Sequence, residues 1–75
     1  MRVSVFKEDV QIAKMEIEYD QLLINKHDSV VFQTEEGHSF SIDAYKNESI
    51  NHVQVLKDEI RVYIIETEKK RAIME

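Results

Sequence analysis

Apolar and polar residues alternate along much of this chain, first in residues 2–6 and again in residues 10–20. A period of two is typical of strands that bury one face. Residues 10–24 also admit a helix, because Ile12, Met15 and Tyr19 are spaced by three or four residues. The strand is favoured, since β-branched and aromatic residues occupy the alternating positions and no capping box opens a helix.

Turn signals divide the middle of the chain into further short strands. Clusters of Asn, Asp, Ser, Glu and Gly predict turns at residues 25–29, 35–37 and 47–49. Short apolar or alternating runs between these turns predict strands at residues 30–33, 40–44 and 52–56. Gly37 suits a tight hairpin, because glycine accepts a positive φ angle without steric cost.

The C-terminal part changes to a spacing that fits a helix. Ile60, Tyr63 and Ile64 share one helical face, with acidic residues before this face and the bases of residues 69–71 after it. Acids suit the first turn of a helix and bases suit the last. Val62 and Ile64 also alternate as in a strand, so residues 60–66 keep both interpretations.

These patterns predict a mainly β fold in one domain over residues 1–75. We expect a small antiparallel β-sheet, barrel-like in shape, with a C-terminal α-helix. A chain of this length buries only roughly 60% of the surface that its unfolded state exposes, so a homodimer is expected to supply further burial. Open sheet edges in a small protein favour the same pairing.

Composition narrows the class of protein. Hydrophobic residues make up 43% of the chain and charged residues 33%, which is ordinary for a globular domain. No cysteine is present, which excludes disulfides and thiolate metal sites and fits a reducing compartment. Apolar runs of three or four residues are too short for a transmembrane helix. We therefore expect a cytoplasmic protein without a membrane segment.

The net charge of −5 opposes nonspecific binding to nucleic acid. Most of the acidic excess lies in the N-terminal half of the chain, so an anion-binding face is expected toward the C-terminal half.

Two collinear motifs carry a resemblance to a known family. Residues 52–60 read HVQVLKDEI, and residues 8–12 read EDVQI. In these motifs the chain resembles the carbon storage regulators, small dimeric RNA-binding translational regulators of bacteria. That family has an early Glu-x-Ile-x-Ile strand and a last strand ending in His-Arg, followed by x-Glu-Ile and a helix. The chain departs from the family by an insertion between residues 30 and 52.

The resemblance implies a post-transcriptional regulator that binds single-stranded RNA through Arg2, Lys7, Val55 and Lys57. Lys57 replaces the family's last arginine and lacks its planar fork for bidentate contacts. Phe6 stands where the family has a further arginine, and Leu56 stands where it has histidine. These departures weaken the expectation of RNA binding more than that of the fold.

Side chains that could carry chemistry have mostly structural interpretations. His38 with Glu35 and Glu36 could hold a divalent ion, but no pair has a metal-ligand spacing, so no metal site or cofactor is expected. No nucleophile–base order or glycine-rich phosphate loop indicates an enzyme. Aromatic side chains could stack on bases, and Phe6 and Tyr45 are the ones expected to be exposed.

An acidic row at Glu16, Glu18 and Asp20 supports an alternative function. It is expected to be a solvated sheet face, and it could also imitate a phosphate backbone. In that case the chain is a protein-binding module, either an inhibitor or an adaptor, without nucleic-acid binding. A third interpretation is a subunit of a larger assembly.

Overall fold

The structure is a computed structural model that describes residues 1–67, and within that range it contains strands and turns but no helix. The strands are β1 (Arg2–Lys7), β2 (Val10–Glu16), β3 (Gln21–Asn25), β4 (Ser29–Gln33), β5 (Ser39–Asp43), β6 (Glu48–Val55) and β7 (Glu59–Glu66). The predicted mainly β class is therefore confirmed, and residues 10–24 form strands rather than a helix.

The strands form two separate sheets within residues 1–67 rather than one barrel-like sheet. The four-stranded sheet has the order β2-β1-β7-β6, and the three-stranded sheet has the order β3-β4-β5. Neighbouring strands are antiparallel except β1 and β7, which run parallel. The parallel pair brings the first and last strands together at the centre of the four-stranded sheet.

The predicted C-terminal helix is wrong for residues 59–66, which form β7. Ile60, Val62 and Ile64 are buried on one face of this strand, as the alternative period-two pattern required. The strand is preferred over the helix because β7 lies between β1 and β6, so both of its edges are hydrogen-bonded within the sheet. The bases of residues 69–71, expected in the last helical turn, lie outside the described residues.

Two tight turns follow from local backbone preferences. Glu8 and Asp9 both have positive φ angles, 51° and 68°, as a two-residue loop between β1 and β2 requires. The predicted hairpin between β4 and β5 is confirmed, with Gly37 at a φ of 98° and its N–H donating to the Thr34 carbonyl at 3.1 Å.

One buried cluster joins the two sheets. Its members are Val3, Val5, Val30, Phe32, Ile42, Ile50, Ile60, Val62 and Ile64. Phe32 is the largest of them and meets the Tyr19 ring edge-on, with 5.4 Å between ring centroids. Phe40 lies opposite Phe32 on β5, but 45% of its surface is exposed. Only Phe32 of this pair is a full member of the core.

A candidate nucleic-acid interface on the four-stranded sheet

The four-stranded sheet has one face on the core and one face in solvent. Val3 and Val5 of β1 point into the core, so the intervening Ser4 and the following Phe6 lie on the outer face. The register places Phe6 beside Tyr63 on β7, and Tyr63 beside His52 on β6. Three rings from three strands thus form a line across the outer face.

These rings stack on one another. The Phe6 and Tyr63 centroids are 5.0 Å apart with planes at 14°, and the Tyr63 and His52 centroids are 4.3 Å apart with planes at 15°. Both separations fit offset stacking, which leaves part of each ring face uncovered. Phe6 and Tyr63 are half-buried, whereas His52 is exposed on the edge strand β6. We call Phe6, Tyr63 and His52 the ring row.

Arg61 lies beside the ring row and is held in place by Glu59. Its guanidinium carbon is 5.8 Å from the Phe6 centroid, within cation–π range. Its Nε donates to Glu59 Oε1 at 3.1 Å, while the fully buried Ser4 hydroxyl donates to Glu59 Oε2 at 2.6 Å. Glu59 therefore anchors Arg61 through its Nε–H, one of the five guanidinium donors.

The charge of Glu59 is stabilised at this position. The Ser4 hydroxyl bond is the main cause that lowers the pKa of the Glu59 carboxyl from its ordinary value near 4.5, followed by the bond and the charge of Arg61 and the charge of Arg2. Partial burial opposes the shift but does not outweigh it. The anchor of Arg61 stays ionised at neutral pH.

The outer face is less acidic than the molecule as a whole. The register places Arg2, Lys14 and Arg61 on this face with Glu16 and Glu59. Glu16 accepts a bond from the N-terminal ammonium of Met1 at 3.2 Å, and Glu59 is bound to Ser4 and Arg61. The basic groups therefore outnumber the acidic ones on this face despite a net charge of −5.

The structure separates the four residues that the family resemblance indicated. Arg2 opens β1 on the outer face, opposite Glu59, and Lys57 lies in the β6–β7 turn at the same end of the sheet. Val55 is at this end as well and is 61% exposed, but its strand partner Ile60 shows that it lies on the core-facing side. Lys7 lies at the opposite end of the sheet.

Lys7 is engaged in ion pairs. Its Nζ is 2.7 Å from Glu48 Oε2 and 3.5 Å from Glu66 Oε2, so it ties together the ends of three strands. The Glu48 bond is the main cause that raises the pKa of Lys7, and the same bond lowers the pKa of Glu48. Lys7 therefore has a structural partner for its charge and is less suited to a phosphate contact than Arg2 or Lys57.

The shifted pKa values of Glu48, Glu59 and Lys7 predict that the free energy of unfolding decreases at both acid and alkaline pH. Glu48 and Glu59 have pKa values below 4.5, so their contributions are present above that pH and are lost as pH falls through the lowered values. The pKa of Lys7 is raised above 10.5, so its contribution is present below that pH and is lost as pH rises through the raised value. Urea unfolding across the pH range measures both.

The loss of stability at acid pH can be tested with a pair of matched variants. In Glu48→Gln the free energy of unfolding is expected to fall less steeply below about pH 4.5, because the amide has no charge to lose. Glu36→Gln should keep the wild-type slope, since the Glu36 side chain is 81% exposed in the β4–β5 turn. Equal slopes in the two variants would show that the Lys7–Glu48 pair does not stabilise the fold.

The predicted acidic row is not a continuous sheet face, because β2 ends at Glu16. Glu18 and Asp20 lie in the link to β3, where Asp20 Oδ2 accepts the Glu35 N–H at 2.7 Å. An open groove of about 230 Å³ is lined by Glu18, Tyr19, Asp20, Thr34, Glu35 and Glu36. The sequence interpretation missed Glu35 and Glu36 as members of this patch, since only the sheet pairing brings the β4–β5 turn to the link.

The three histidines have different environments. His27 bonds through Nδ1 to the Ile50 carbonyl at 2.9 Å and thereby joins the β3–β4 turn to β6. His38 Nδ1 is 3.8 Å from Glu36 Oε1, and both side chains are largely exposed. Within residues 1–67, no three His, Asp or Glu side chains converge as metal ligands. His52 alone belongs to the outer face of the four-stranded sheet.

The ring row was only partly visible in the sequence. Phe6 was expected to be exposed and is half-exposed, and Tyr45 is 77% exposed but lies in the loop before β6. Arg61 was missed, and Tyr63 was considered as an aromatic side chain but placed on a helical face, which hides the strand face that both residues share with His52. Alternation through Val62 and Ile64 was the signal that could have found them.

Comparisons of the chain with protein-family models, with curated proteins and with solved structures give no match. None of the described residues 1–67 belongs to a helix with the length and apolar character needed to cross a bilayer.

Proposed function

We propose that this protein binds single-stranded RNA on the outer face of its four-stranded sheet. The observation that carries the proposal is the ring row, in which Phe6, Tyr63 and His52 are stacked and accessible from solvent. Aromatic side chains displayed on an open sheet are a recurrent way of holding unpaired bases. The expected contribution to translational control follows from the resemblance to the carbon storage regulators.

A base is expected to extend the row at His52. This ring is exposed and stands on the edge strand, so no further strand within residues 1–67 lies beyond it in the hydrogen-bonding direction. Stacking of a base on an aromatic ring contributes roughly 1–3 kcal/mol and tolerates every base, because each has a π face. The ring row therefore favours single strands with little preference for sequence.

A few basic side chains near the ring row are available to contact the phosphates of a bound strand. Arg61 stands beside Phe6, and Arg2 and Lys57 lie at the same end of the sheet. Three phosphate contacts predict a slope of about −2 for the logarithm of affinity against that of salt concentration. Binding that depends on stacking persists at salt concentrations that abolish purely ionic binding.

The test is the affinity of fluorescent RNA oligomers for the wild-type protein and for two histidine variants. His52→Ala is expected to weaken binding roughly 5- to 150-fold, the equivalent of the stacking energy of one base. His38→Ala is the matched control, because His38 is an exposed histidine in a loop outside the ring row. DNA oligomers of the same sequence show whether the 2′-hydroxyl contributes to recognition.

Equal affinities of the two histidine variants would contradict the use of the ring row. Absence of binding to RNA and DNA at low salt would discard the proposal altogether.

A second candidate function is the binding of a basic protein surface by the acidic groove. Four carboxylates, those of Glu18, Asp20, Glu35 and Glu36, surround this groove. Reversing the charges of Glu18 and Asp20 together would abolish such a complex. The same reversal should leave RNA affinity unchanged or improve it, which separates the two functions.

A further inference from the structure

β3 is an edge strand without the usual features that prevent pairing with another chain. Its residues Gln21–Asn25 contain no charge and no proline, and its pairing with β4 has no bulge. The edge strands of the four-stranded sheet are different, since β2 carries a bulge at Ile12 and β6 carries one at Asn51. Bulges and charges are common protections of sheet edges, and β3 has neither.

The other edge of the three-stranded sheet is less available. A groove of about 300 Å³ separates β5 from β2 of the same molecule and is lined by Ile42, Asp43, Ile12 and Ala13 among others. β5 also ends in a charged residue, Asp43, whose carboxylate accepts the Ser41 hydroxyl. β3 lies on the far side of β4, away from this groove.

The direction of the backbone groups on β3 follows from the bonds around β4. The Ala44 N–H donates to the Asp28 carbonyl at 2.8 Å, and the Thr34 N–H donates to the His38 carbonyl at 2.9 Å. Even-numbered residues at both ends of β4 therefore direct their backbone groups toward β5. The Gln33 carbonyl accepts the Asp20 N–H at 2.7 Å, so odd-numbered residues point toward β3.

The register then identifies the backbone groups of β3 that have no strand partner within residues 1–67. Odd-numbered residues of β4 face odd-numbered residues of β3, as in the pair of Val31 with Leu23. Backbone groups alternate in direction along a strand, so Leu22 and Ile24 present their N–H and C=O groups to the open edge. Leu23 has its own backbone groups turned inward and its side chain 40% exposed.

We infer that a second copy of this chain pairs with β3 in antiparallel fashion about a two-fold axis at Leu23. Leu22 then exchanges both backbone bonds with Ile24 of the partner subunit, and Ile24 does the same with Leu22 of the partner subunit. The two three-stranded sheets become one continuous sheet. The proposed RNA-binding face lies on the other sheet and does not take part in this contact.

The side chains of the strand are complementary to themselves in this register. Leu23 faces Leu23 of the partner subunit in a non-hydrogen-bonded pair, where side chains approach most closely. Leu22 faces Ile24 of the partner subunit, and Gln21 faces Asn25 of the partner subunit. Apolar groups thus meet apolar groups and amides meet amides, and no like charges oppose each other. A contact of five residues a side is short, so dimerisation is expected to depend on concentration.

A single engineered cysteine tests the register, because the chain has no cysteine of its own. Leu23→Cys is expected to form an interchain disulfide, since Cα atoms of a non-hydrogen-bonded pair are about 4.5 Å apart, within disulfide range. Ser41→Cys is the matched control, because Ser41 lies in the same cross-strand row but on the opposite edge. Non-reducing gel electrophoresis should show oxidation of Leu23→Cys at least roughly ten-fold faster, because paired thiols have a high effective concentration.

Sedimentation of the full chain gives the second test. The wild-type protein and Val10→Lys are expected to show a concentration-dependent monomer–dimer equilibrium, since Val10 is 63% exposed on another edge. Leu23→Lys places two ammonium groups together on the axis and should remain monomeric, with circular dichroism confirming that it is folded. Equal oxidation rates of the two cysteine variants, or dimerisation of Leu23→Lys equal to wild type, would overturn the inference.

Discussion

Replacing Phe32 by alanine is expected to lower the free energy of unfolding by about 3–5 kcal/mol. Phe32 is 1% exposed and packs in the cluster that joins the two sheets, with the Tyr19 ring against it. The loss combines the burial energy of the ring with the cavity that its removal leaves. A chain of this length has a total stability of about 4–11 kcal/mol, so the variant should lose a large part of it.

Phe40→Ala is the matched control, because Phe40 is the cross-strand partner of Phe32 and is 45% exposed. We expect it to cost about 1 kcal/mol, in proportion to the smaller area that it buries. Urea unfolding of both variants, followed by circular dichroism, measures the difference. Equal losses would show that the core does not centre on Phe32.

Replacing Tyr63 by leucine is expected to weaken RNA binding roughly 5- to 150-fold. Tyr63 stands between Phe6 and His52, so its loss interrupts the ring row in the middle and removes the ring on which His52 stacks. Leucine keeps an apolar side chain in the sheet and limits the effect on folding. Fluorescence anisotropy with a single-stranded RNA oligomer gives the affinity, and urea unfolding confirms that the variant is folded.

Tyr45→Leu is the matched control for this effect. Tyr45 is 77% exposed and lies outside the four-stranded sheet, in the loop before β6. Its replacement should leave RNA affinity unchanged. A decrease of the same size in both variants would point to a binding surface other than the ring row.

The strands and turns were largely predictable because they depend on neighbours in sequence. Val3 and Val5 alternate with polar residues and form β1, and Gly37 supplies the positive φ that its hairpin needs. The segment from Ile60 to Ile64 shows the limit of this reasoning. Its apolar spacing fits a helix and a strand equally, and pairing with β1, distant in sequence, decided for the strand.

The candidate site depended even more on distant contacts. Phe6, His52 and Tyr63 come from three strands, and no local spacing predicts that their rings stack. The pairing of charges also depends on the fold. The local sequence does not predict that Lys7 forms ion pairs with Glu48 and Glu66. Arg2 and Lys57 lie at the same end of the sheet because β1 and β7 run parallel.

The sequence by itself determined the mainly β class, the positions of most turns, the net acidity and the absence of thiol chemistry. These properties follow from composition and from the period-two burial of single strands. Only the tertiary structure decided which strands are neighbours and which residues share a face. Register across a sheet is set by burial and hydrogen bonding between segments far apart in the chain, and a shift of one residue would turn the ring row into the core.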